Sequence, residues 1–188
     1  MTDVEHSENE LRLLELLKEK SFEQREVTLS SGRKSNFYID CKQVSLSAEG
    51  LYLIGHCIFS VIEKLDGPIH AVGGPTLGAD PMVSAVSMTS YLESQPIPAF
   101  IIRKKPKSHG TQAWIEGASN IPEGGRVVLL EDVITTGATV LDSAKKVEDA
   151  GYQIACFVVL VDRDEGAREI IEEAGYKVYS LFRRRDFF

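Results

Sequence analysis

The sequence predicts an α/β fold: a parallel sheet flanked by helices, with a small hood of antiparallel strands near the N-terminus. Three observations carry this expectation. Residues 127–130 and 154–161 are short unbroken apolar runs, as strands buried on both faces require. From residue 48 onward such runs alternate with segments of helical pattern, the signature of successive strand–helix units. The runs also end in glycine, hydroxylic or charged residues, where an open parallel sheet has its ligand crevice.

In chain order, Leu11, Leu13, Leu14, Leu16 and Leu17 recur at helical spacing over residues 7–20, with charges between them. That leucine face suits packing against the domain or a partner subunit. Residues 26–29 read as a strand, 30–33 as a turn and 36–40 as the returning strand; this hairpin is the hood. Ser31-Gly32-Arg33-Lys34-Ser35 superficially resembles a nucleotide-binding P-loop but lacks its leading glycine. Residues 48–64 form a mostly apolar helix in which His56 is a packing or surface residue. A strand over 69–74 leaves through a glycine-rich exit to Pro81, and a helix follows to about Glu93. The exit lacks the Gly-x-Gly-x-x-Gly order of a dinucleotide site. Its main-chain N–H groups could contact an anion; equally, Asp80 and Pro81 could simply start the helix.

A third strand over 97–102 runs into Arg103, Lys104, Lys105 and Lys107, four positive charges in five residues, with His109 close behind. A charge run is usually a solvated face. This one follows a strand directly, and its tail, Ser108 to Gln112, has the composition of a mobile loop. Residues 114–117 resume as a strand and 122–125 turn into the central strand. After that strand, residues 140–150 form a helix stopped by Gly151, and the strand over 154–161 ends at Asp162-Arg163-Asp164-Glu165. A helix over 166–174 and a strand over 176–182 complete the pattern, and Arg183-Arg184-Arg185 reads as a solvated tail.

At 188 residues the chain suggests a single domain: helix and hood over 1–46, and a sheet core over 47–188 carrying a mobile loop at 103–114. A hydrophobic fraction of 43% suffices for a sizeable core. The net charge of −7 argues against nucleic acid as a general partner. Three cysteines without paired spacing point to reduced thiols. The polar, acidic start is not a signal peptide, and no apolar run approaches the roughly 20 residues of a membrane span. The expectation is a soluble cytoplasmic protein.

The central stretch over 127–139 carries the chemistry. Glu131 and Asp132 are expected where the strand ends, placed to accept hydrogen bonds from sugar hydroxyls. Thr135-Thr136-Gly137-Ala138-Thr139 then offers hydroxyls, a flexible turn and a helix N-terminus, which together can enclose a phosphate. Such a site suits a ribose 5-phosphate. The order of apolar residues, two acids, two apolar residues and a Thr/Gly loop resembles the 5-phosphoribosyl-1-pyrophosphate (PRPP) signature of the type I phosphoribosyltransferases. Within them, residues 103–110, 31–35 and Asp162-Arg163 resemble the orotate phosphoribosyltransferases.

That resemblance implies transfer of a phosphoribosyl group from PRPP to orotate, giving orotidine 5′-monophosphate and pyrophosphate, in a homodimer with shared active sites. It implies that Glu131 and Asp132 hold the ribose 2′ and 3′ hydroxyls, and that Val133, Ile134, Thr135, Thr136, Gly137, Ala138 and Thr139 surround the 5′-phosphate. Arg103, Lys104, Lys107 and His109 would stabilise pyrophosphate, reaching into the neighbouring subunit, with His109 a proton donor. Arg163 and the Thr135 region would hold orotate, with Tyr38 stacking on it, and Mg²⁺ would arrive on PRPP. The chain departs from the pattern at Ser30 and at Leu77 or Gly78, where many orotate enzymes carry lysine. A phosphoribosyltransferase for another base, or a PRPP-binding regulator without catalysis, therefore stays open.

Overall fold

The protein is described by a computed structural model that covers residues 6–28, 34–106 and 114–188. Helix α1 (Glu8–Lys20) begins in a capping box. The Ser7 hydroxyl accepts the Glu10 N–H at 3.2 Å, and the Ser7 N–H donates to the Glu10 carboxylate at 2.7 Å. Such a cap contributes about 1 kcal/mol. Leu13, Leu16 and Leu17 are buried, each contributing roughly 2 kcal/mol, whereas Leu11 stays exposed.

The hood is built from two short antiparallel ladders. Strand β1 (Phe22–Glu23) pairs with β4 (Tyr38–Ile39), and β2 (Val27–Thr28) pairs with β3 (Lys34–Ser35). The returning strand expected over 36–40 is thus divided, and Phe22–Glu23, read as neither strand nor hood, supplies half the pairing. Two-residue strands are too short to show a period. Helix α2 (Lys42–Ser45), likewise unanticipated, leads to α3 (Ala48–Ile62), capped by the Ser47 hydroxyl accepting the Gly50 N–H at 3.1 Å.

The central sheet contains β5 (Ala71–Pro75), β6 (Ala99–Ile102), β7 (Ile115–Glu116), β8 (Arg126–Ile134), β9 (Gln153–Asp162) and β10 (Val178–Arg183), in the order β10-β9-β8-β5-β6-β7. All neighbours are parallel except β6 and β7. Helix α4 (Ala79–Leu92) connects β5 to β6, α5 (Ala138–Asp149) connects β8 to β9, and α6 (Ala167–Glu173) connects β9 to β10. One face of the sheet packs on α1, α3 and α4, the other on α5 and α6.

From β5 the chain proceeds outward to β6, and from β8 outward in the opposite direction to β9. The β5/β8 boundary is therefore a topological switch point, where open parallel sheets bind ligands. Pairing between β5 and β8 stops at Gly73↔Leu129, but β8 stays paired with β9 as far as Ile134↔Asp162. This corrects the expected strand end. The ladder with β9 carries β8 past the two carboxylates, so Glu131 and Asp132 lie within its last turns of pleat, beside the gap that β5 has vacated.

The C-terminal arginines are not a loose tail. Residues Arg184–Phe187 form a 3₁₀ turn in which the Arg183 N–H donates to Asp186 at 2.7 Å. Phe187 is buried, its ring 5.3 Å from Phe37 and 5.5 Å from Phe22. The two aromatic residues that follow the arginines were the overlooked signal. Among the described residues no helix is long and apolar enough to cross a membrane.

Candidate active site

Glu131 and Asp132 sit at the switch point under unequal conditions. Glu131 is only 8% exposed, and burial, reinforced by the Asp132 charge, pushes its carboxyl up to about 9. Its Oε2 accepts no hydrogen bond among the described residues. Asp132 is half-buried, and its Oδ1 accepts the Val133 N–H at 2.9 Å. The β5 exit loop closes the opposite wall so tightly that a Cβ on Gly78 would lie 2.5 Å from the Asp132 carboxyl carbon. In the same loop the Thr76 hydroxyl donates to Asp80 Oδ2 at 2.7 Å.

Immediately after β8 the backbone turns at Gly137, whose φ of +79° is reached at little cost only by glycine. Helix α5 starts there, earlier than its apolar periodicity indicates, so Ala138 and Thr139 belong to its first turn. The first helical bond runs from the Leu141 N–H to the Gly137 carbonyl. The N–H groups of Ala138, Thr139 and Val140 consequently have no acceptor within the helix, and no side chain caps it. Glu131 and residues 133–140 line a hollow with about 310 Å³ of open space. An anion lodged there would meet oriented N–H groups, threonine hydroxyls and the positive end of a helix dipole.

At the end of β9, Arg163 is 8% exposed, and burial lowers its pKa. Its Nη2 donates to the Phe37 carbonyl at 2.9 Å and pairs with Glu165 Oε1 at 2.9 Å. The hood thus reaches across to the crevice through Phe37. Tyr38, one residue on, lies under the Arg25 guanidinium at 4.3 Å. The adjoining Asp162 is 1% exposed and serves the fold: its carboxylate pairs with Arg168 at 3.1 Å and accepts the Asp164 N–H at 2.9 Å.

The basic segment stands to one side. Arg103 donates to Glu116 on β7 at 2.6 Å and to the Lys105 carbonyl at 3.0 Å, and Lys104 is exposed. Neither forms a hydrogen bond to residues 131–139 among the described residues. Lys107 and His109 lie outside the described residues, as do Ser30 and the expected turn at 30–33. Beyond the segment, the Trp114 ring lies 4.2 Å from the Lys146 ammonium on α5. Both flanks of the segment are thereby fastened, one to β7 and the other to the helix whose N-terminus lines the hollow.

Three residues near the site escaped the sequence reading. Phe37 reads in the sequence only as part of a strand, yet it is fully buried while Tyr38 beside it is half-buried. Glu165 was counted among terminal charges. Lys42, in an unanticipated helix, pairs with Asp40 at 2.7 Å and feels the Asp132 charge.

This geometry meets its counterpart in known proteins. The model of the phosphoribosyl transferase domain matches residues 45–180. Orotate phosphoribosyltransferase of Sorangium cellulosum (strain So ce56) is 46% identical over 176 residues, covering 94% of this chain and 91% of that one. The chain belongs to the orotate phosphoribosyltransferase branch of the phosphoribosyltransferase family. The orotate phosphoribosyltransferase of Nostoc sp. (strain PCC 7120) is 44% identical over 171 residues, 91% of this chain and 81% of that protein. In three dimensions, Mycobacterium tuberculosis orotate phosphoribosyltransferase in complex with Fe(III) dicitrate superposes with a TM-score of 0.82 at 36% identity, covering 95% of this chain and 98% of that one. The same enzyme in complex with PRPP gives 0.78 at 34% identity, with the same coverage. Family membership accounts for the acid pair and the uncapped helix lying at one strand end.

Proposed function

We propose that this protein transfers the 5-phosphoribosyl group of PRPP to N1 of orotate, releasing pyrophosphate and forming orotidine 5′-monophosphate in pyrimidine biosynthesis. The observation that carries the reading is the pair of buried Glu131 and half-buried Asp132, a few residues before the uncapped N-terminus of α5. The hollow lined by Thr135, Thr136, Gly137, Ala138 and Thr139 takes the 5′-phosphate, with Val133 and Ile134 as its walls. Glu131 and Asp132 take the ribose hydroxyls, which fits the unspent acceptor at Glu131 Oε2.

As pyrophosphate departs, positive charge grows on the ribose and negative charge on the leaving group. No covalent nucleophile is required; the ribose must be held, the leaving group neutralised and the base oriented. Asp132 favours the cationic sugar. Arg103, Lys104, Lys107 and His109 supply cations to pyrophosphate, with His109 a proton donor near neutral pH. Arg103 must exchange its bond to Glu116 to do so. Arg163 binds the orotate carboxylate in a bidentate fork, next to the backbone at Thr135, and Tyr38 stacks on the base once its ring leaves Arg25.

The residues here suit Mg²⁺ carried by PRPP and not an ion held by the protein alone. Among the described residues no group of three or more His, Cys, Asp or Glu side chains could hold a metal ion. The ion would ride on PRPP oxygens and waters, with Glu131 and Asp132 as outer partners, and would screen the pyrophosphate charge. The neighbouring subunit completes each site in a homodimer. Three free, buried cysteines, Cys41, Cys57 and Cys156, suit a reducing cytoplasm.

Purified protein given PRPP and Mg²⁺ will consume orotate, followed by loss of its ultraviolet absorbance, and a chelator will stop it. Turnover of hypoxanthine or uracil without turnover of orotate would overturn the substrate assignment.

A further inference from the structure

The three consecutive arginines at the C-terminus have unequal surroundings. Arg183 bonds Asp164 through Nε at 2.8 Å, and Arg185 lies 3.7 Å from Asp186. Arg184, between them, has no carboxylate partner among the described residues: its Nη2 donates to the neutral Asn36 side chain at 2.6 Å. It is half-buried, and its Cζ lies 5.7 Å from the centroid of the Phe37 ring. Arg163 stands 5.5 Å from the centroid of that same ring. The two guanidiniums sense each other, since the Arg184 charge helps to lower the pKa of Arg163.

Placing a second cation beside a buried one is unfavourable unless an anion joins them. Glu165 can compensate one guanidinium, and it is already paired with Arg163. Among the described residues, the three side chains Arg163, Arg184 and Glu165 together carry one net positive charge beside the hood. An incoming monoanionic base would neutralise it. Phe37, wholly buried, is the common ring against which both guanidiniums are held.

We propose that Arg184 is a specificity-determining residue of the base pocket, a second cation that draws the carboxylate of the nucleobase toward Arg163. The proposal rests on the assignment of Arg163 to that carboxylate. It gives the C-terminal turn a purpose beyond covering Phe37: Phe187 fastens the turn, and Arg184 projects from it beside the hood. It also gives a reason why, among the described residues, the middle arginine of the three has no carboxylate partner.

The test compares Arg184→Gln, Arg184→Lys and Arg163→Gln in the full chain. Glutamine keeps a donor for Asn36 and removes the charge. Arg184→Gln should raise KM for orotate about tenfold, the effect of losing one modest charge-assisted contact, with KM for PRPP unchanged and Tm not lowered. Arg184→Lys should recover most of the loss. Added salt should raise the KM for orotate of the unaltered protein more steeply than that of Arg184→Gln. An unaltered KM for orotate in Arg184→Gln, with a raised one in Arg163→Gln, would overturn this proposal and leave the pocket assignment standing. If neither variant changes it, both fail. A lowered Tm with both KM values raised together would reduce Arg184 to a structural role and likewise overturn the proposal.

Discussion

Replacing Gly78 by alanine tests whether the position of the Asp132 carboxylate controls the reaction. Gly78 precedes α4 with φ −62° and ψ −39°, a conformation any residue adopts, so alanine imposes no backbone strain. The effect is confined to space. The new methyl carbon would lie 2.5 Å from Asp132 Cγ and Oδ2 and 2.6 Å from Oδ1. Restoring an ordinary separation near 3.4 Å requires a shift of about 0.9 Å. The obstacle is a short side chain held by the Val133 N–H, not the far end of a flexible one. Its displacement sacrifices that hydrogen bond, costing about 1 kcal/mol of stability.

The functional loss should be larger. A misplacement of roughly 1 Å in a group that positions substrate can reduce the rate about 10²-fold, or close to 2.7 kcal/mol of transition-state stabilisation. Initial rates over a matrix of PRPP and orotate concentrations, beside urea unfolding, separate the two effects. Expected are a kcat/KM for PRPP down about 10²-fold and stability changed by no more than about 1 kcal/mol. Unchanged kinetics in a folded Gly78→Ala protein would show that the Asp132 position is immaterial and sink the reasoning. A loss of several kcal/mol in stability with parallel loss of activity would instead trace the effect to collapse of the exit loop.

Two further predictions follow from the same site. The Glu131 carboxyl is raised from 4.5 to about 9 in the folded protein, so between those values the folded state binds more protons than the unfolded one. Stability should therefore fall as pH rises, by up to about 1.4 kcal/mol per unit from this group. Glu131→Gln, which cannot ionise, should flatten that slope in urea-unfolding midpoints; an equally steep slope in the variant would assign the dependence elsewhere. For the shared active site, Lys107→Ala should lower the rate by roughly 10²–10³. Mixing it with Asp132→Asn subunits should restore part of the activity, since some mixed dimers assemble one intact site; a mixture no more active than its components would count against loops that cross between subunits.

What could be read in the chain was what the chain keeps together. The acid pair, the threonine-rich turn and the following helix occupy adjacent residues, so one strand end suffices to bring them together. Strand–helix alternation after residue 48 reflects burial on both sheet faces, which imposes long apolar runs. The error at the end of β8 has a definite cause: charged residues were taken to close the strand, but backbone pairing with a long β9 decides its length. Glu131 is tolerated there as a protonated, buried acid. Local sequence does not reveal that, because burial depends on how the sheet packs around β8 and not on residue type.

The base side of the site was hidden for the same reason in stronger form. Phe37 and Arg163 meet across 126 residues, and Asn36 and Arg184 across 148. Neither pairing leaves a period or a motif. The closing C-terminal turn converts an arginine triplet, which composition reads as solvated, into two paired charges and one that has no carboxylate partner among the described residues. The contrast in protonation makes the two halves of the crevice physically different. In the proposed assignment, the ribose side holds an acid whose burial favours its uncharged form, and the base side a positive charge without a carboxylate partner among the described residues. Each half carries an unfavourable feature in the empty protein that its own substrate would relieve, so binding energy is directed to the groups that must be positioned for transfer.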